Sequence, residues 1–523
     1  MFGLVVRQEL VERHQTPVEV DPKPERLVDP CAQVVGAAVG NGGASGREEV
    51  GFDGGRDPLS RHTFILLSVY DTHTRNHYRF AMAAADAPSS SPARTVYRGA
   101  RWPGDVAVVD GRIVAVGSVP SGPGDVDIDC TGTVITAGLV NTHHHLYQWM
   151  TRGWASGCDL FTWLTTLYPV WGRLDVEDIH AAALVGLSEL AMTGCTTAAD
   201  HHYLVPHGDD AVFDAIVEAA RQVGIRLHLS RGSMDLSEKD GGLPPDHVVE
   251  ELDAILASTE RVIADHHDGE MVSVVVAPCS PFSVTGELMV ASAELARRHG
   301  LKMHTHLAET MEENEHCLER FGRRPLAQLE EWGWIGPDIW VAHGIWFDDD
   351  EVRRLGAAGT GVAHCPSSNA RLAAGMCRVT DLRAAGAPVG LGVDGVASNE
   401  IGGLFPELRQ SLFTARLRSL DATCFDHLDA LAIGSAGGAA CLGRDDIGTL
   451  EVGKRADFAV WVTDDIADIA DPLVGLVFGP DRRVDRLVVG GRSVVEGGAL
   501  VGVDLAEAHR RLAQRASRLW EHA

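Results

Sequence analysis

The sequence lacks any run of about 18 apolar residues, so no transmembrane helix is expected. Its 10 cysteines form no C-x-x-C pair, and we expect reduced thiols in a cytoplasmic protein. Positive charge is scarce, because 45 Lys and Arg stand against 73 Asp and Glu, a net charge of −28. This balance repels phosphates and argues against a nucleic-acid or membrane partner. Residues 1–15 carry charges where a signal peptide is apolar, so secretion is not expected.

What is present is the composition of an ordinary globular protein of 523 residues, with 45% hydrophobic and 23% charged residues. Residues 1–94 contain Gly-rich and charged segments. We therefore expect either a disordered extension or a stretch that lies upstream of a true start at Met82. Short alternating strands in 95–136 and 446–503 predict one small β-sandwich domain built from both ends of the chain. A helix is expected to close the chain in 504–523.

The stretch 137–445 alternates apolar, β-rich runs with helical patterns, which is typical of an α/β protein. Eight such runs predict the parallel strands of a (β/α)8 TIM barrel. They are residues 134–141, 196–202, 225–230, 272–278, 302–307, 338–344, 361–366 and 388–394.

Histidines and acids cluster where these predicted strands end, which is the edge that carries the active site in such barrels. Each of them could be an ordinary polar residue, but together they predict three nitrogens and one oxygen around one divalent ion. Zn²⁺ is expected, with Fe²⁺ as the alternative, since a bound ion of this kind lowers the pKa of water from 15.7 to about 7. The residues are His143, His145, His304, His306, Glu309, His343 and Asp394.

Several segments resemble the amidohydrolase superfamily, in the branch that deaminates purines, pyrimidines and triazines. They are GLVNTHHHLYQ (138–148), GCTTAADHHYL (194–204), HTHLAET (304–310), VAHGIWF (341–347), GTGVAHCPSSNARL (359–372), VGLGVDGVASN (389–399) and GTLEVGKRADFAVW (448–461). Within that branch, residues 230–251 are similar to the 8-oxoguanine deaminases.

The resemblance implies metal ligation by His143, His145, His306 and Asp394. It also implies that Glu309 delivers a proton to the ring, that His343 polarises the attacking hydroxide, and that Asp394 doubles as the base. One subtype of the family binds two metals through a carboxylated lysine at the end of the fourth strand. Cys279 and Ser280 stand at that point in this sequence, so one metal is expected. His144 is expected to point away from the ligands, and His304 is left open as a further ligand.

Six residues are candidates for binding the substrate. Gln148 is expected on the purine edge, or else facing solvent, and Arg231 either donates to a ring carbonyl or forms a structural ion pair. His202 and Tyr203, at the end of the second strand, either line the site or pack in the core. Trp154, like Trp149, stacks on the ring or belongs to the core.

The expected activity is hydrolytic deamination of a small heterocycle, 8-oxoguanine to urate and ammonia. Isocytosine, guanine or a hydroxylated aminotriazine are the alternative substrates. Expulsion of chloride is disfavoured, because relatives of that kind lose the acid found here at Glu309. A non-catalytic barrel scaffold is the remote alternative. Barrels of this type often pair, so a homo-oligomer is expected.

Overall fold

The computed structural model describes residues 94–520. Residues 1–93 of the expected extension, which include the candidate start at Met82, lie outside this part. The strands are β1 (Thr95–Arg98), β2 (Asp105–Val109), β3 (Arg112–Gly117), β4 (Val126–Asp129), β5 (Thr133–Ala137), β6 (Leu139–Asn141), β7 (His144–His145), β8 (Cys195–His202), β9 (Arg226–Ser233), β10 (Val272–Pro278), β11 (Met303–Leu307), β12 (Ile339–His343), β13 (Gly361–His364), β14 (Val389–Leu391), β15 (Asp394–Gly395), β16 (Phe458–Val462), β17 (Arg486–Val489), β18 (Arg492–Glu496) and β19 (Ala499–Leu500).

Eight parallel strands close into a barrel in the order β6, β8, β9, β10, β11, β12, β13, β14 and back to β6. The predicted TIM barrel is therefore confirmed, and each of the eight predicted runs contributes one strand. Every residue of β8, β9 and β11 is buried, as expected for strands covered on both faces.

Helices follow the barrel strands and cover the barrel. Acidic N-caps start several of them; Asp175, for example, forms a reciprocal capping box with Asp178. The helices are α1 (Leu160–Trp171), α2 (Val176–Met192), α3 (Ala211–Val223), α4 (Leu252–His266), α5 (Gly286–Arg298), α6 (Met311–Phe321), α7 (Pro325–Glu331), α8 (Asp349–Ala358), α9 (Pro366–Arg371), α10 (Val379–Ala384), α11 (Val396–Asn399), α12 (Phe405–Ser419), α13 (His427–Ala432), α14 (Gly438–Cys441), α15 (Pro472–Phe478) and α16 (Leu505–Trp520).

Two further sheets come from the two ends of the described chain. One has the order β3-β2-β1-β4, and the other has the order β19-β18-β17-β16-β5. Asp110 and Gly111 both have positive φ, 48° and 73°, which is the two-residue hairpin turn between β2 and β3. An apolar core joins residues of both sheets, including Tyr97, Ile113, Phe458 and Val488. This is the small β-sandwich predicted beside the barrel.

The predicted first strand, 134–141, is in fact two strands. Residues Thr133–Ala137 pair antiparallel with β16 in the sandwich, and only Leu139–Asn141 enter the barrel. Gly138 makes the junction, where a Cβ atom would lie 2.3 Å from the Thr196 side chain. A larger residue therefore cannot pass so close to β8 without moving it.

The nine cysteines within residues 94–520 are all free thiols. None of the helices in the same part has both the length and the hydrophobicity that crossing a bilayer requires.

Candidate metal centre

Two short strands bring the ends of β6 and β14 together. In the parallel pair β7 and β15, Asp394 lies opposite His144, and the Asp394 amide donates to the His143 carbonyl at 3.1 Å. The carboxylate of Asp394 thus lies beside the His-x-His pair, although 250 residues of chain separate them. His306 reaches the same place from β11, which has three barrel strands between it and β6.

The nitrogen and oxygen atoms of these four residues converge. His145 Nε2 lies 3.1 Å from His306 Nε2, and Asp394 Oδ1 lies 3.3 Å from His145 Nε2 and 3.4 Å from His143 Nε2. The four predicted ligands are all buried. The structure therefore brings together all the residues to which the sequence assigned metal ligation.

The hydrogen bonds behind the rings show what the cluster can hold. His145 Nδ1 lies 2.7 Å from the His201 carbonyl, and His306 Nδ1 lies 2.7 Å from the Cys279 carbonyl. A carbonyl only accepts, so both Nδ1 atoms carry the proton. In the neutral rings each Nε2 then presents a lone pair, and the two lone pairs face each other. A cation between them resolves this repulsion, so the donor set fits a divalent metal.

His304 fixes the position of the proton on the third ligand ring, that of His143, in the same way. Its Nδ1 donates to the Trp340 carbonyl at 2.8 Å, and its Nε2 therefore accepts from His143 Nδ1, also at 2.8 Å. This leaves His143 Nε2 with a lone pair, and that buried atom has no hydrogen-bond partner. His304 thus lies behind the ligand cluster, supporting His143, instead of joining the cluster as a further ligand.

Burial favours the neutral rings that a metal needs. It lowers the pKa of His143 and His306 well below the usual range, because a charged imidazolium would lose its hydration. His144 takes no part, since its Nδ1 accepts from the His145 amide at 2.9 Å, which directs the ring away as predicted.

His201, at the end of β8, is a residue that the sequence analysis missed. Its Nε2 donates to the Ala277 carbonyl at 3.0 Å, while its buried Nδ1 has no partner. A ligand atom of His201 lies within 4.8 Å of those of His143, His145 and His306. The structure thus places a fourth imidazole against the cluster.

Glu309 and His343 stand next to the ligands. The two side chains approach to 3.6 Å, between Oε2 and Nε2, and His343 Nδ1 lies 3.0 Å from the Asn369 Oδ1 atom. Burial raises the pKa of Glu309 well above its usual range, and the neighbouring acids Asp394 and Glu313 add to the effect. Glu309 is therefore suited to hold a proton at neutral pH.

The backbone at this edge adopts conformations that L residues rarely take. Ala308, His343 and Asp394 have φ of 53°, 71° and 59°. Such residues persist only where the surrounding structure holds them, and they occur often at functional sites.

A cavity opens next to the cluster. Its lining includes Glu309, His343 and Asp394, and aromatic walls come from Trp163, Tyr168, Tyr203 and Phe282. No Lys or Arg of the described chain lines it. The cavity thus joins acids and imidazoles to flat apolar walls, which suits an uncharged aromatic ring.

Gln148 lines this cavity, as predicted for a substrate contact. Its side chain is buried, and Oε1 has no hydrogen-bond partner. A Cβ atom at Gly395 would overlap the same amide, at 1.7 Å from Oε1. Gly395 therefore makes room for Gln148, and the alternative of a solvent-facing loop residue is wrong.

Arg231 and His202 are not brought to the cavity. The two residues are register partners in β9 and β8, and both point outward, against Phe213 of α3. Arg231 Nη2 donates to Glu250 Oε1 at 2.7 Å, within a buried ion pair. Their expected role in the pocket fails for a simple reason: side chains alternate along a strand, and the inward position of β8 is His201.

The two tryptophans also stay outside the cavity lining. Trp154 is half-buried against the main core, and Trp149 is buried in it. The aromatic walls come instead from Tyr203, Phe282 and α1, a helix that the sequence analysis did not assign to the site. Leu160, Trp163, Leu164 and Tyr168 share one helical face.

The Arg231–Glu250 pair predicts a stability effect. Arg231→Met should lower the free energy of unfolding by about 3–5 kcal/mol, because it leaves the Glu250 carboxylate without its buried partner. Urea unfolding measures this. The matched control is Lys239→Met, which breaks the exposed Lys239–Asp246 pair and should cost under about 1 kcal/mol. Unchanged stability with weakened substrate binding would instead favour a direct contact between Arg231 and the ligand.

Known proteins share this architecture. The chain is 50% identical over 413 residues to the 8-oxoguanine deaminase of Pseudomonas aeruginosa, covering 77% of this chain and 92% of that protein. It is 36% identical to an isoxanthopterin deaminase from an unknown prokaryotic organism, covering 84% and 96%. The solved atrazine chlorohydrolase of Arthrobacter aurescens TC1, complexed with zinc, superposes with a TM-score of 0.76 at 29% identity, covering 81% and 100%.

The family model described as the amidohydrolase family matches residues 134–494, which contain the whole barrel and every residue of the cluster. The chain therefore belongs to the amidohydrolase family.

Proposed function

We propose that this protein hydrolytically deaminates 8-oxoguanine to urate and ammonia. The observation that carries the proposal is the cluster of His143, His145, His306 and Asp394 beside Glu309, a carboxyl whose pKa burial raises well above its usual range. The 8-oxoguanine deaminase relative, at 50% identity, supports the choice of heterocycle. The cavity supports an uncharged ring, since no cationic side chain of the described residues lines it.

The four ligands would hold one divalent cation, which we propose is zinc, because the structurally similar atrazine chlorohydrolase is complexed with zinc. When bound, the cation lowers the pKa of water to about 7 and so supplies a nucleophile at neutral pH. Iron is the alternative metal. One ion is expected, because Cys279 and Ser280, and no lysine, end β10.

The chain's own groups then move the protons. His343 Nε2 orients the attacking oxygen, and Asn369 holds that ring through Nδ1. Asp394 accepts the proton of the water and later returns it to the departing amine. Ser368 donates to Asp394 Oδ2 at 2.6 Å and keeps the carboxylate in place.

Glu309 protonates the ring nitrogen next to the carbon that bears the amino group. That carbon then accepts the electron pair of the attacking oxygen, its bond to the exocyclic nitrogen breaks, and ammonia leaves. The remaining hydroxyl proton passes to Glu309 as the carbonyl forms, which restores the acid. One water is consumed, and the amino group is replaced by a carbonyl, so atoms balance from 8-oxoguanine to urate. The general acid contributes about 10²–10⁴-fold to such a step.

Ammonia release from a panel of heterocycles tests the function. Metal-replete enzyme should turn over 8-oxoguanine with the highest kcat/KM, and urate should form in equal amount. Preferred turnover of isocytosine, guanine or a hydroxylated aminotriazine would change the substrate but keep the machinery. No ammonia from any of them would contradict the proposal.

Gln148 is proposed to bind an edge of the purine. Gln148→Leu should raise KM about 10-fold and leave kcat nearly unchanged, because the loss of one or two hydrogen bonds amounts to about 1–2 kcal/mol. Steady-state kinetics with 8-oxoguanine measure both constants. Gln222→Leu, on the exposed surface of α3, is the control and should change neither. An unchanged KM in Gln148→Leu would show that the amide does not contact the substrate.

We further propose a cytoplasmic homo-oligomer. The free thiols of the described chain accord with a reducing compartment. Exposed apolar side chains at the end of α12, namely Phe413, Leu417 and Leu420, supply a surface for a second copy. Light scattering of the purified protein would give the number of copies.

A further inference from the structure

A buried carboxylate lies behind the loop that carries Glu309. Glu313, in the first turn of α6, is 1% exposed. The amide of Ala308 donates to its Oε1 at 2.8 Å, and the amide of Glu309 donates to its Oε2 at 2.9 Å. One side chain thus binds the backbone of two consecutive residues, one of which is the proposed acid.

This arrangement differs from ordinary helix capping. Thr310 is the N-cap of α6 and accepts from the Glu313 amide. In the capping boxes of α2 and α8 the acid at the third position binds the amide of the N-cap residue itself. The oxygens of Glu313 instead pass the N-cap and reach residues 308 and 309.

The same peptide is also held from its other side. The carbonyl of Ala308 accepts from the amides of Ile345 and Trp346, at 2.9 and 3.0 Å. Those residues follow His343 on the next barrel loop. These four hydrogen bonds therefore hold Ala308 at its φ of 53° and connect the loop of Glu309 to the loop of His343.

Stability does not account for a glutamate here. No ion pair joins Glu313 to a Lys or Arg within residues 94–520, and burying a carboxylate without one costs folding free energy. The two amides offset that cost only in part. The hydrogen bonds from these amides to Glu313 also fix the peptide from which the Glu309 side chain starts.

We propose that Glu313 is a positioning residue, which holds the Glu309 carboxyl where it delivers its proton to the substrate ring. The inference rests on the proposed function of Glu309 as the acid. Glu313 itself is not among the residues that line the cavity.

Glu313→Ala should lower kcat about 10- to 100-fold, since a displacement near 1 Å of a reacting group has an effect of this size. KM and bound metal should stay unchanged. Glu313→Gln keeps one acceptor oxygen and should fall between Glu313→Ala and the unchanged enzyme. Glu312→Gln, at the exposed neighbouring position, is the matched control and should behave as the unchanged enzyme.

A double-mutant cycle separates positioning from a general structural role. In the Glu309→Gln background, adding Glu313→Ala should change kcat less than about two-fold, because there is no longer an acid to position. The same 10- to 100-fold loss in that background would overturn the inference, as would full kcat in Glu313→Ala alone or a loss that follows metal content.

The assay uses whichever heterocycle of the panel is turned over fastest. Failure of the proposed deaminase function can then be distinguished from failure of the proposed role of Glu313. An active enzyme in which Glu313 variants have no effect contradicts only the inference. An enzyme that releases ammonia from no heterocycle contradicts the proposed function, and the inference with it.

Discussion

Asp394→Asn is expected to lower kcat by at least about 10³-fold and to weaken metal binding. The amide removes the anionic oxygen that lies 3.3 and 3.4 Å from two ring nitrogens, and it cannot accept the proton of the attacking water. The substitution conserves shape, so Ser368 and Ser398 still surround the side chain. Single-turnover ammonia release and metal analysis on the same preparation measure both effects.

Asp350→Asn provides the control, since that exposed carboxylate of α8 lies outside the site and should leave kcat unchanged. An Asp394→Asn enzyme with near-normal kcat would show that the carboxylate is neither ligand nor base. An enzyme that binds metal normally and yet is inactive would assign Asp394 the proton transfer alone.

Glu309→Gln is expected to lower kcat by about 10²–10⁴-fold while the bound metal remains. Glutamine cannot deliver the proton, but it is neutral like the protonated acid that burial favours, so the fold should be undisturbed. A kinetic comparison at equal metal content measures the loss. An active Glu309→Gln enzyme would exclude Glu309 as the acid.

The pH dependence follows from the same carboxyl. Because burial raises the pKa of Glu309, the carboxyl keeps its proton to higher pH than an exposed glutamate does, and it loses that proton as pH rises through the raised pKa. The kcat should therefore fall on the alkaline side, with the residual activity of Glu309→Gln lacking this fall. A profile of the unchanged enzyme that stays flat at high pH would contradict the assignment.

The barrel could be predicted from the sequence because parallel strands covered on both faces appear as continuous apolar runs. For the same reason, the sequence does not show that the first predicted run, 134–141, divides into two strands. Thr133–Ala137 and Leu139–Asn141 are equally apolar, so only tertiary pairing separates the sandwich strand from the barrel strand.

The ligand cluster could be predicted because His143, His145 and Asp394 lie just beyond the barrel strands β6 and β14, and the family resemblance then selected the ligands. The pocket was harder. All eight residues of β8 and of β9 are buried, so no alternation of polar and apolar residues shows which ones face inward. The sequence therefore indicated His202 and Arg231 as pocket residues, whereas the inward positions are His201 and Ser230.

The wall of the cavity had a detectable signal that was not used. Positions 160, 163, 164 and 168 recur at helical spacing immediately after the first ligand loop, which indicates one apolar face close to the site. The contact of Glu313 with residues 308 and 309 had no such signal, since an acid in the first turn of a helix normally interacts with its own N-terminus.

The account depends most on the convergence of His143, His145, His306 and Asp394 on one cation. Chelator-treated protein should release no ammonia, and titration with Zn²⁺ should restore turnover that saturates at one equivalent per chain. His306→Ala should neither bind one equivalent of Zn²⁺ tightly nor release ammonia. Full turnover in the chelated protein, or in His306→Ala without bound metal, would contradict the account.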